Sequence, residues 1–173
     1  MDTYIALFRG INVGGSNILP MKGLSLFLEN NSFRNVQTYI QSGNVVFQSK
    51  TTPDTKISSL IEDKYKIKPE IIILKEKEFL KSVKDNPYDS TVGKEVHFYF
   101  CKTKPKPDIK KLEELKSKSE KYRIKGKVFY LYAPDGIGRS KLVANVEKCL
   151  GVPTTGRNLN TINKLKEMLD NLK

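Results

Sequence analysis

Residues 3–8, TYIALF, are apolar at every position after the first, so a strand built from them carries apolar side chains on both faces. Such a strand is stable only inside a sheet that is covered on two sides, and this restricts what the rest of the chain can do. Pro20, followed by Met21, Leu24, Phe27 and Leu28 at helical spacing, predicts a helix. The alternating VQTYIQ (36–41) and the run NVVFQ (44–48), joined across Ser42-Gly43, predict a tight hairpin. Thr52-Pro53 is expected to open a helix with Ile57, Leu60 and Ile61 on one face, and EIIIL (70–74) supplies a further strand. The order is βαββαβ, the split unit of ferredoxin-like folds.

A short helix around Phe79, Leu80 and Val83 ends near Asn86-Pro87, and the pattern then restarts. VHFYF (96–100) reads as a strand, Asp108 as the cap of a helix carrying Ile109, Leu112 and Leu115, and KYRIKGKVFYLY (121–132) as a hairpin turning on Gly126. Ser140 is placed to cap a helix that stops at Leu150-Gly151, and a final amphipathic helix carries Ile162, Leu165, Met168, Leu169 and Leu172. The last strand of this second unit is expected to be missing or replaced by that helix. Overlaying 38–49 on 121–132 aligns Tyr39 with Tyr122, Gly43 with Gly126 and Val45 with Val128, a weak internal repeat. The expected fold is therefore α+β: tandem ferredoxin-like halves packed as one body, 1–84 and 95–173, with a linker at 85–94 and a C-terminal amphipathic helix. First and third strands are expected at the centre of each sheet and second strands at the edge.

The chain of 173 residues has 38% hydrophobic and 29% charged residues, as ordinary globular proteins do, and no run reaches the length a membrane helix needs. The N-terminus runs into YIALF without a basic segment or cleavage site, so a cytoplasmic protein with no membrane partner is expected. A formal charge of +12 points to polyanionic partners. Lysine contributes 26 of the 31 basic residues, however, and arginine forks, which read bases and phosphates best, number only five. One histidine, His97, and two distant cysteines, Cys101 and Cys149, cannot make an ordinary zinc site; no metal and no cofactor is expected. A Cys–His catalytic pair would require one of those thiols to meet His97 in space.

Three glycine- or asparagine-rich stretches, each with an arginine, stand where helices are expected to open. RGINVGGSN (9–17) lacks the lysine of a P-loop and the spacing of a dinucleotide fingerprint, leaving Arg9, Asn12, Gly14 and Gly15 as a generic anion cradle or as a turn. DGIGRSKL (135–142) brings Gly138, Arg139, Ser140 and Lys141 to a helix start, where an anion site and plain N-capping are both readings. TTGRNLNT (154–161) places Arg157 and Asn158 at a third opening. QSGNVVF (41–47) is expected at the opposite end of the sheet from 10–16, on the reading that the third strand runs parallel to the first. Lys125, Gly126, Phe129 and Tyr132 fit part of the RNA-recognition-motif pattern, but Lys127 interrupts it and core packing is the simpler role for Phe129. No paired carboxylates mark a catalytic centre, and no catalytic residue is assigned.

YIALFRGINVGG, TYIQSGNVVF, GIGRSKL and TTGRNLNTINKL together resemble, in order and over nearly the whole chain, the bacterial domain-of-unknown-function family 1697. The resemblance implies a tandem ferredoxin-related protein and no reaction. It also implies that Arg9, Gly10, Asn12, Gly14, Gly15, Gln41, Ser42, Gly43, Asn44, Ser140, Lys141, Thr155, Arg157, Asn158 and Thr161 are shared positions. Leu159 stands where the family's closing motif has tryptophan. The leading functional expectation is a binding protein whose glycine-rich loop and arginine-bearing helix starts together hold a phosphate or carboxylate ligand, such as a nucleotide, phosphometabolite or nucleic-acid segment. An enzyme acting on a phosphorylated small molecule and a structural or protein-interaction module are the alternatives, and no oligomeric state follows.

Overall fold

The computed structural model describes residues 1–173 apart from Asp54 and Ser90, the latter inside the expected linker. The chain divides into two compact units, Met1–Lys81 with Lys164–Lys173, and Ser82–Asn163. The first contains β1 (Asp2–Arg9), α1 (Leu24–Asn30), β2 (Arg34–Tyr39), β3 (Asn44–Ser49), α2 (Lys56–Tyr65) and β4 (Glu70–Lys75), with sheet order β2-β3-β1-β4. After α3 (Glu76–Lys84) come β5 (Val96–Cys101), α4 (Ile109–Leu115), β6 (Lys121–Lys125), β7 (Val128–Tyr132), α5 (Lys141–Leu150), β8 (Thr154–Asn158) and α6 (Leu159–Asp170), with sheet order β6-β7-β5-β8. Each sheet is thus a complete four-stranded antiparallel ferredoxin-like sheet, its first and third strands central.

The fourth strand of the second sheet, expected to be absent, is β8, which pairs antiparallel with β5 from His97↔Asn158 to Cys101↔Thr154. TTGRN lacks the apolar signature of a strand because it lies at the sheet edge with Gly156 at its middle. That glycine is required: a Cβ there would sit 2.7 Å from Cε1 of Tyr99, whose ring lies over it.

In the first unit Tyr4, Ala6, Phe8, Val45 and Phe47 pack against Leu24 and Leu28 of α1 and Ile57 and Ile61 of α2, with Phe33 edge-on to Phe47 at 5.2 Å. In the second, Tyr99, Cys101, Phe129 and Leu131 meet Leu112 of α4 and Leu142, Val146 and Cys149 of α5. The opposite faces are closed to solvent as well: Ile5, Leu7 and Val46, and likewise Phe98, Phe100 and Tyr130, are at most 1% exposed. This meets the requirement set by TYIALF.

β3 runs antiparallel to β1, with Asn44 opposite Leu7 and Ser49 opposite Asp2. The expectation of a parallel pair is corrected by chain geometry. A β–helix–β crossover sets β1 and β2 in the same direction, so a strand returned by a hairpin from β2 must oppose both. The hairpin 40–43 therefore lies at the same end of the sheet as the loop that follows β1. Gly43 makes this approach close: its carbonyl accepts from the Phe8 N–H at 2.9 Å, and a Cβ at this position (φ +83°) would lie 2.6 Å from both Phe8 Cβ and Ile11 Cδ1. Gly43→Ala is expected to cost about 2–4 kcal/mol, from overpacking added to positive φ. Gly126→Ala, also at positive φ but facing open space, should cost about 1 kcal/mol. Urea-denaturation midpoints of the two variants test the difference.

Candidate functional site

Within the first unit, the glycine-rich loop is a miniature hairpin. Asn12 N–H donates to the Asn17 carbonyl at 3.1 Å and Ser16 N–H to the Val13 carbonyl at 3.0 Å. Gly14 (φ 57°) and Gly15 (φ 75°) occupy its two corners, the double positive φ of a type I′ turn. Asn12 is the clasp: its Nδ2 donates to the carbonyls of Leu19 (3.0 Å) and Gln41 (2.9 Å), while its Oδ1 accepts from Leu19 N–H (2.8 Å). The loop does not lead into a helix N-terminus, because Pro20 and Met21 precede a further turn and α1 begins only at Leu24. Arg9, half-exposed at the end of β1, forms an ion pair with Glu70 on β4. QSGN, which the sequence reading placed far away, lies directly against this loop.

Within the second unit, DGIGRSKL behaves as its residue types suggest. Ser140 caps α5, its Oγ accepting from Val143 N–H at 3.1 Å, and the first helical bond runs from Ala144 N–H to the Ser140 carbonyl. The N–H groups of Lys141 and Leu142 consequently have no acceptor inside the helix. Arg139, Ser140 and Lys141 line a cleft of about 440 Å³ together with Gly136, Asp135 and the segment 114–117 with Glu120. Two of the carboxylates there have partners: Glu120, buried, accepts from Ser117 N–H at 3.2 Å, and Asp135 accepts from the Ser119 hydroxyl. Gly138 lies within the same turn, with open space where a Cβ would stand.

Arg157 and Asn158 do not line that cleft. Arg157 lies in β8 rather than at a helix opening, 6% exposed, donating to Thr155 Oγ1 (2.7 Å) and the Gly156 carbonyl (2.8 Å). Burial lowers its pKa to about 10. Asn158 caps α6, its Oδ1 accepting from Thr161 N–H at 3.0 Å. Of the sequence-predicted residues, Arg9, Asn12, Gly14 and Gly15 belong to the first unit; in the second, Arg139, Ser140 and Lys141 line the cleft, Gly138 precedes them in the chain without lining it, and Arg157 with Asn158 belong to β8. The cleft's other wall, Lys116, Ser117 and Glu120, carried no signal in the sequence, since it is a polar helix end followed by a turn.

A Cys–His pair does not form with Cys101. His97 and Cys101 lie on one face of β5 four residues apart, about 13 Å along a strand. His97 Nε2 bonds the Lys94 carbonyl at 2.9 Å, and burial pushes the Cys101 thiol up to about 11, away from thiolate. Cys149 is buried too, and both thiols are free. Among the described residues no cluster of three or more His, Cys, Asp or Glu could hold a metal. No helix of the described residues is long and apolar enough to cross a membrane.

Two closed ferredoxin-like sheets, a clasped glycine hairpin and a polar cleft at a capped helix define an α+β protein. Residues 1–130 match the family described as protein of unknown function (DUF1697), and the chain belongs to that family. Its fold is similar to that of the conserved bacterial protein SP0830 from Streptococcus pneumoniae, with 26% identity, a TM-score of 0.67, and coverage of 97% of this chain and 98% of that one. No curated protein sequence matches it.

Two measurements test the burial of His97, Cys101 and Cys149. In native protein at pH 8, both thiols should react with a thiol reagent at least about 100-fold more slowly than in urea. Burial holds His97 below its ordinary pKa of 6.5, so below that pH the unfolded chain takes up a proton that the folded one resists. Unfolding free energy should accordingly fall as pH drops through 6.5, and His97→Gln should flatten that part of the profile.

Proposed function

We propose that this protein binds a phosphate-bearing small molecule, most simply a nucleotide, in the cleft at the start of α5. The observation that carries the reading is the gathering of Arg139, Ser140, Lys141 and Lys116 around one concavity where a ten-residue helix begins. A phosphate there is offered the Arg139 guanidinium, the Lys141 ammonium, that of Lys116, which also lies 4.0 Å from a Glu113 carboxylate oxygen, and the positive end of the helix. Its volume of about 440 Å³ suits a ligand of nucleotide size. The carboxylates on the lining would repel a bare polyanion at close range. They suit ribose hydroxyls, which donate to carboxylate oxygens. Arg9, Asn12, Gly14, Gly15, Arg157 and Asn158 serve the fold in this reading: they close turns, cap α6 and tie strand ends.

Calorimetric titration and thermal shift with ATP, GTP, NAD and inorganic pyrophosphate test the proposal. A nucleotide should raise the melting temperature, and Arg139→Ala with Lys141→Ala should weaken it by about 10–100-fold, one to two charge-assisted contacts. Ser140→Ala should instead lower stability by about 1 kcal/mol. Absence of any nucleotide effect, or affinity untouched by the double variant, would sink the reading.

A further inference from the structure

At the other end of the second sheet, three lysine-bearing segments distant in sequence are joined by backbone hydrogen bonds. Lys127 follows the β6–β7 turn, and its carbonyl accepts from Cys101 N–H at 2.8 Å. The segment after β5 is then bonded along the end of α5 and its continuation: Lys102 N–H to the Pro153 carbonyl, Lys106 N–H to Leu150 and Asp108 N–H to Cys149, all at 2.8–2.9 Å. These bonds bring together, at one end of the sheet, the segments that carry Lys102, Lys104, Lys106, Lys110, Lys127 and Lys148, and all six side chains are exposed. The carboxylates near it are Asp108, whose Oδ1 caps α4 by accepting from Lys111 N–H, and Glu147, in the last turn of α5. Among the described residues, none of Lys104, Lys106, Lys110, Lys127 and Lys148 is in an ion pair. The second unit as a whole carries 17 of the chain's basic residues against 9 acidic ones.

Local backbone chemistry stiffens this surface. Lys104 and Lys106 each precede a proline, which holds them extended, and Pro105 and Pro107 have φ set by their rings. Lysines on such a segment lose little backbone freedom on binding. We infer that this face is a docking surface for the phosphate backbone of a nucleic-acid duplex, without base specificity. Lysine gives point charges where base reading needs arginine or amide forks, and none of the five arginines is in this set. Exposed aromatic rings for stacking single-stranded bases are lacking from it too. Ile109 is the one large apolar side chain exposed there among the described residues, too little for membrane insertion or for the dry centre of a protein interface. The inference does not rest on the nucleotide cleft, whose Arg139 and Lys141 are not among these lysines.

Fluorescence anisotropy of the full chain with labelled 20-base-pair DNA and RNA duplexes of arbitrary sequence tests it. Affinity should fall with salt at a logarithmic slope of about −4 to −5, the release expected for five or so neutralised phosphates. In Lys102→Gln/Lys104→Gln/Lys106→Gln the slope should shrink by about 3 and affinity drop at least about 30-fold, with an unchanged urea midpoint confirming the fold. Arg139→Ala with Lys141→Ala should leave duplex binding intact, which separates this surface from the cleft. The inference is overturned if neither duplex binds, if the triple variant binds as well as the parent, or if vesicles of anionic phospholipid are bound more tightly than either duplex.

Discussion

The contact between Phe8 and Gly43 holds the first sheet in the form everything else in that unit depends on. A backbone bond and a side-chain approach too close for any Cβ join the end of β1 to the start of β3. Once that pair is set, hairpin 40–43 and loop 10–19 are neighbours, and Asn12 clasps them through the Gln41 carbonyl. The second sheet repeats the device at its edge, where Tyr99 lies over Gly156. In both places a glycine is kept by what packs on it as much as by its own backbone freedom.

Burial of both faces of both sheets decides which functions the fold can carry. An RNA-recognition motif works through an open sheet face with aromatic side chains free to stack, and here Phe129 and Tyr130 are at most 1% exposed. His97 and Cys101 on β5 and Cys149 on α5 are buried as well. The charged groups of the cleft accordingly lie on loops and helix ends, where a rigid scaffold closed on both sides usually carries its binding residues. The second unit then presents two different surfaces at opposite ends of its sheet: a concave cleft with mixed charge at the start of α5, and a lysine-dominated face at its finish.

Much of the fold was legible in the chain because its signals are local. Apolar runs marked β1 and β7, the Ser42-Gly43 and Gly126 turns marked the hairpins, and Asp108, Ser140 and Gly151 marked helix ends that the structure confirms through Lys111 N–H, Val143 N–H and a left-handed φ of 67°. Elements whose stability comes from partners were not legible. β8 owes its existence to pairing with β5, so TTGRN read as a loop. Pro20 marked a turn and not a helix start, because the residues after it pack as a connection before α1. The candidate site was less legible still: Gly138 to Lys141 were visible, whereas Lys116, Ser117 and Glu120 enter only through the folding of another segment against them.

The amino-acid order by itself determined the first βαββαβ unit, the second as far as α5, the central strands and the charge, since these follow from periodicity, turn chemistry and composition, all of which act over a few residues. Only the tertiary structure decided that Gly43 packs on Phe8 and Ile11, that Arg157 is buried in a strand, and which charged residues line the cleft. Those outcomes depend on packing and pairing between segments far apart in the chain, which no local pattern encodes.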